Sequence, residues 1–158
     1  PALFSDGAVE VRSQALELSS DLNLEQAIAA LLAKLSQTTG YISIHAYLDR
    51  HSAGSASELR DLLARRTGRP VTFGWGPRFL HSTGQYHKGG PRQGVFLQLV
   101  AKTNEDVQVP GRDFTFGELI ASQAAGDAKV VADLGRPVLT LTLNNPVEDF
   151  NTILRAIG

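Results

Sequence analysis

The chain contains no cysteine, which removes disulfides, thiolate nucleophiles and thiolate metal ligands together. It also lacks any excess of charge of one sign: 15 Lys and Arg stand against 16 Asp and Glu, for a formal net charge of -1. That balance favours neither nucleic acid nor an anionic membrane, both of which select clustered basic surfaces. No apolar run approaches the roughly 20 residues needed to cross a bilayer, and no basic segment precedes an apolar stretch at the start. A cytoplasmic protein is the default expectation. Opening on Pro1 without an initiator Met, the sequence reads as a piece of a longer protein that carries part of a site.

What is present is globular in composition, with 42% apolar and 20% charged residues. A chain of 158 residues suits one domain around one core, and neither an internal repeat nor a long linker divides residues 1–158. A weak strand pattern at 8–12 follows the turn-prone Ser5-Asp6-Gly7. Leu24, Ala27, Ile28, Leu31, Leu32 and Leu35 then recur at helical spacing, with Asn23 and Gln26 as a capping box and Gly40 as the stop. Residues 41–48 (YISIHAYL), 71–75, 95–101 (VFLQLVA) and 138–143 (VLTLTL) read as strands. The first of these suits a central strand covered on both faces.

Helices separate them. Ser55 with Glu58 opens one that ends at Gly68, and Thr115 with Glu118 opens one that runs to about Leu134. Asn145, Pro146 and Glu148 open the last. Strands linked by capped helices make βαβ units. The expected fold is a three-layer α/β/α sandwich with a mostly parallel sheet, its ligand site beyond the carboxyl ends of the strands.

One segment concentrates polar chemistry. Residues 80–90 (LHSTGQYHKGG) place two histidines, a lysine, two hydroxyls and an amide just after the strand at 71–75. If a helix starts near His81, then Ser82 and Thr83 occupy its first turn, where unpaired N–H groups hold oxyanions. A neutral His81 there suits proton exchange with a sugar hydroxyl or ring oxygen. The alternative is a His81 that caps the helix and packs against Trp75. Lys88 either brings its charge to an anionic substrate or is a solvated surface lysine.

His87 lies six residues after His81, which is not the i, i+4 spacing of helical metal ligands, so no metal site is expected. His45, inside a strand, reads as a satisfied core or edge histidine. Arg65, Arg66 and Arg69 are explained by favourable interaction with a helix carboxyl end. On the 115–134 helix the expected buried face is Phe116, Ile120, Val130, Val131 and Leu134, with Gln123 and Asp127 at i, i+4 in the same arc. A buried carboxylate needs a partner, so Asp127 anchors a neighbouring loop or faces a partner domain, with Gln123 beside it as structural support.

The run RFLHSTGQYHKGGPRQGVFLQL, with the later PGRDFTFGELIASQAAGD, resembles the glucose-6-phosphate isomerase portion of bifunctional transaldolase/glucose-6-phosphate isomerases. The likeness is to the carboxyl-terminal part and spans about residues 41–143. Its specific element is HSTGQ, residues 81–85, similar to a His-Ser-x-Gly-Gln run whose histidine opens and closes the sugar ring.

The resemblance implies a sugar-isomerase (SIS)-like domain and interconversion of glucose 6-phosphate and fructose 6-phosphate without a cofactor. It makes His81 the ring-opening acid/base and Gln85 its motif companion near the substrate. Lys88 is not assigned by it, because the sequence departs from the family pattern there. The implied partners are a sugar phosphate and the remaining isomerase and transaldolase domains of a parent chain, with a homodimer left open.

The family's proton-shuttling glutamate, its ring-opening lysine and its phosphate pocket have no counterpart in these residues. The expectation is therefore a half-site, inactive or nearly so alone. Two other readings stay open: a noncatalytic sugar-phosphate-binding or regulatory domain, and an interdomain packing module.

Overall fold

A computed structural model describes residues 1–48, 56–76, 94–102 and 108–158. Its centre is a six-stranded sheet of β1 (Phe4–Asp6), β2 (Val9–Gln14), β3 (Tyr41–Tyr47), β4 (Val71–Trp75), β5 (Gly94–Ala101) and β6 (Val138–Leu143), in the order β1-β2-β6-β5-β3-β4. Strands β3 to β6 run parallel. The first two form an antiparallel hairpin, with Gly7 in the left-handed region at φ 59, and β2 pairs antiparallel with β6. The parallel expectation thus holds for β3 to β6, while the amino-terminal hairpin, needing no crossover, closes one edge in the opposite sense.

Helices α1 (Leu24–Leu32), α2 (Ala56–Thr67) and α4 (Pro146–Ile157) cover one face of the sheet, and α3 (Phe116–Asp133) covers part of the other. Period-two alternation assigns the side chains to these faces. Ile42 and Ile44, Leu97 and Leu99, and Leu139 and Leu141 point into the main core with Ile28, Leu31, Leu59, Leu63 and Ile153. Phe96, Val138, Ala128 and Val131 pack on the opposite side. The result is a mixed α/β fold with helices on a central sheet, in three layers.

Several boundaries follow from local chemistry. Helix α1 carries the Asn23–Gln26 capping box, and Asp6 of β1 accepts the Leu24 N–H at 2.8 Å. The helix ends at Leu32, well before Gly40, although Leu35 is buried. Lys34 and Leu35 donate to carbonyls three residues back, tightening the last turn. The Ser36 hydroxyl then accepts from the N–H groups of Thr38 and Thr39, and such local side-chain bonds compete with helix. Gly94 begins β5 opposite Tyr41, where a Cβ would lie 2.6 Å from the Tyr41 ring.

At α4 the expected Asn145 side-chain cap is not made. The Asp149 carboxylate instead accepts the Asn145 N–H at 2.8 Å. Arg66 donates to the Ile157 carbonyl in the last turn of α4, and Arg69 Nε donates to the Gly40 carbonyl. These arginines fasten neighbouring elements together.

The chain turns back on itself between β3 and β5. From β3 it steps outward to β4, then returns across β3 to β5 and proceeds to β6 on the other side. Right-handed crossovers in opposite directions put their helices on opposite faces, which is where α2 and α3 lie. Such a reversal opens a crevice beyond the carboxyl ends of the two flanking strands, here at Tyr47 of β3 and Ala101 of β5.

Candidate functional site

Two regions bear on function, the first being the carboxyl end of the parallel strands. Strand β4 ends at Trp75, and Gly76 donates its N–H to the Ala46 carbonyl at 2.7 Å, holding the strand end against β3. Trp75 packs edge-to-face on Phe73 with ring centroids 5.2 Å apart. Residues 77–93 follow directly in sequence. His81, Ser82, Thr83, Gln85 and Lys88 fall there and lie outside the described residues, as do Ser55, His51 and His87.

The second region is the sheet face beneath α3. Tyr41, Ser43, His45 and Tyr47 of β3 alternate onto it, as do Phe96, Gln98 and Val100 of β5, Thr140 and Thr142 of β6, and Glu10, Arg12 and Gln14 of β2. Ser43, His45, Gln98 and Thr142 are buried here and engaged. Ser43 Oγ lies 2.9 Å from His45 Nε2, and the His45 ring stands edge-on to Phe96 at 5.5 Å. Gln98 donates to the Ala124 carbonyl of α3 at 2.9 Å and accepts from the Thr140 hydroxyl at 2.8 Å. It bridges two strands and a helix.

Asp127 is 9% exposed and accepts a hydrogen bond from the Tyr47 hydroxyl, linking α3 to the carboxyl end of β3. Burial pushes the Tyr47 phenol well above its ordinary range, and the Asp127 carboxylate adds to this by stabilising the protonated form. Gln123 is exposed to solvent and takes no part in the contact. The buried face of α3 is Ala124, Asp127, Ala128 and Val131, while Phe116 and Val130 are 47% and 41% exposed. Val131 and Asp127 are buried as expected and Ile120 packs against Tyr47, Val100 and Ala124, but alanines take the places expected of Phe116 and Val130 and let the helix approach the sheet closely.

At the β2 edge, Glu10 gathers three donors: Lys102 Nζ at 2.5 Å, Arg12 at 2.9 Å and Asn144 at 3.3 Å. The Lys102 hydrogen bond, opposed by partial burial and aided by Arg12 and Asn144, lowers the Glu10 carboxyl from 4.5 to about 2. A depressed folded-state value contributes stability that is present above about pH 4.5 and lost as pH falls toward 2. Glu10→Gln is expected to flatten the acid side of the stability curve between those values. Urea unfolding midpoints measured from pH 2 to 6 would expose this, and an unchanged acid slope would contradict it. Between this cluster and α3 lies a cavity of about 410 Å³, open to solvent.

Among the described residues, no group of three or more His, Asp or Glu is placed to hold a metal ion, and no helix is long and apolar enough to cross a membrane. Sequence reasoning missed Glu10, Arg12, Tyr47, Gln98 and Lys102. A signal for most of them existed. VEVRSQ, YISIHAY and VLTLTL carry polar or hydroxylated side chains at alternate positions, and GVFLQLVA adds the single Gln98; a two-residue period across neighbouring strands marks one shared face.

No family model matches the chain, and no curated protein matches it. Among solved structures it is similar to a hypothetical protein from Thermus thermophilus, with a TM-score of 0.72 at 18% identity. The match covers 89% of this chain and 39% of that one. The likeness is one of fold.

Proposed function

We propose that this chain is the carboxyl-terminal SIS-like part of a glucose-6-phosphate isomerase and that His81 is its ring-opening acid/base. The observation that carries the reading is the reversal of strand order between β3 and β5. An α/β sheet of this kind binds ligands beyond the carboxyl ends at the reversal, and the HSTGQ run follows the carboxyl end of the adjacent β4 in sequence.

In this reading His81 takes the proton of the anomeric hydroxyl and delivers it to the ring oxygen, so that the C1–O5 bond breaks as the C1 carbonyl forms. A glutamate outside this chain then moves a proton from C2 to C1 through a cis-enediol. The exchange is redox-neutral and needs no cofactor. Gln85 orients the sugar, Ser82 and Thr83 offer first-turn donors to its oxygens, and Lys88 approaches the phosphate. A general base must come within about 3 Å of the proton it removes, so the 158-residue chain alone turns over little or nothing. The partners are the remaining isomerase and transaldolase domains of a parent polypeptide, in the cytoplasm.

The test uses the longer protein containing this chain. His81→Ala is expected to lower isomerisation of glucose 6-phosphate by about 10²–10⁴-fold, the usual contribution of a positioned general acid/base, in a coupled assay of fructose 6-phosphate formation. Turnover within threefold of the unsubstituted protein would remove His81 from the reaction. Sugar-phosphate binding by the 158-residue chain without turnover in the parent would favour a noncatalytic binding domain.

A further inference from the structure

We propose that the cavity between α3 and the polar face of β2, β5 and β6 is a binding site for a small amphiphilic carboxylate. It has about 410 Å³ of space, within the range of small-molecule pockets. The residues argued from are all described ones, and occupancy of the cavity is independent of any role for His81.

Its two walls differ in chemistry. Along α3, beyond Glu118 in the first turn, Ala121, Ala124, Ala125 and Ala128 give an apolar stretch of methyl groups. Opposite them, Arg12 and Lys102 bring two cations, and Thr140 and Thr142 bring hydroxyls. A few polar groups facing an apolar wall are the usual composition of a small-ligand site.

The preference for an anion comes from the Arg12 guanidinium. Arg12 and Lys102 both contact Glu10, Arg12 at 2.9 Å and Lys102 at 2.5 Å, so two cations share that carboxylate, and Glu118 in the lining balances the second positive charge. Arg12 also donates to Thr142 Oγ1 at 3.0 Å. Among the described residues its contacts occupy two of the five N–H donors of a guanidinium. Glu10 and Thr142 therefore hold Arg12 in place while donors remain for a planar carboxylate, the acceptor that a guanidinium fork matches best. Glu118 of the lining lies in the first turn of α3 and accepts from the Thr115 hydroxyl at 3.3 Å. An anion is drawn to the Arg12 side, and the apolar body of the ligand then lies along the alanines.

The probes are 3-phenylpropanoate and its neutral amide, 3-phenylpropanamide, titrated into the ¹⁵N-labelled 158-residue chain and followed by amide shifts. The acid is expected to bind saturably below about 1 mM, shifting Ala121, Ala125 and Thr142, and the amide at least tenfold more weakly. Ala125→Trp, at an exposed position on the pocket wall, is expected to abolish binding while leaving the remaining spectrum folded. Arg12→Leu is expected to bring the acid down to the affinity of the amide. Equal binding of acid and amide, shifts that do not saturate, or acid binding that survives Ala125→Trp would each overturn the proposal.

Discussion

Leu97→Ala is expected to destabilise the protein by about 2–5 kcal/mol, the range for truncating a buried leucine. Leu97 is 1% exposed at the middle of β5, registered beside Ile44 of β3 and Leu139 of β6. Hydrogen-bonded neighbours on both sides fix its backbone, and the apolar faces of α1, α2 and α4 lie across the same core. Such a site collapses poorly around a cavity, so the cost belongs toward the upper end. For a domain of this size each kcal/mol moves the melting midpoint by roughly 2–4 °C, giving a fall of roughly 4–20 °C by calorimetry. Val147→Ala, at a side chain 60% exposed on α4, should stay within about 0.5 kcal/mol. A Leu97→Ala loss below about 1 kcal/mol would mean that the two faces of β5 have been assigned the wrong way round.

Tyr47→Phe is expected to cost about 1.5–3 kcal/mol, the range for a hydrogen bond to a charged group. The substitution removes the phenol that donates to Asp127 and changes almost no volume, so the loss reports the polar contact and not a cavity. The same pair predicts an alkaline limit. Because the folded-state value of Tyr47 lies above its ordinary value near 10, the folded protein holds that proton more tightly than the unfolded chain. Its contribution is complete below about pH 10 and is lost as pH rises beyond it. Of the three tyrosines, Tyr47 should resist ionisation until the fold opens, seen as a delayed step in absorbance at 295 nm. Ionisation of all three at pH 10 with the fold intact would disprove it.

Legibility varied with the range of the interaction involved. Strands β3 to β6 and the starts of α1 and α3 could be read within two residues, because apolar periodicity and capping boxes are local signals. The end of α1 could not, since Leu35 keeps the helical spacing while Ser36 diverts the backbone through its own hydroxyl. The buried face of α3 was legible only in part. Val131 and Asp127 are buried as their spacing suggests, but Phe116 and Val130, which look like core residues by size, are exposed, and Ala124 and Ala128 pack on the mixed sheet face in their place. Gln98 reads as an interruption in an apolar strand until Thr140 and the Ala124 carbonyl are seen on either side of it.

Order along the chain, the alternation of strand and helix and the polar run at 80–90 belong to the sequence, because each depends on residues close to one another. Strand order, the reversal between β3 and β5, the antiparallel edge and the cavity below α3 came only with the tertiary structure. Hydrophobic burial constrains which face of a strand turns inward but says little about which strands become neighbours. That choice depends on pairings across long separations, such as Glu10 with Lys102 or Tyr47 with Asp127, whose partners no local pattern identifies.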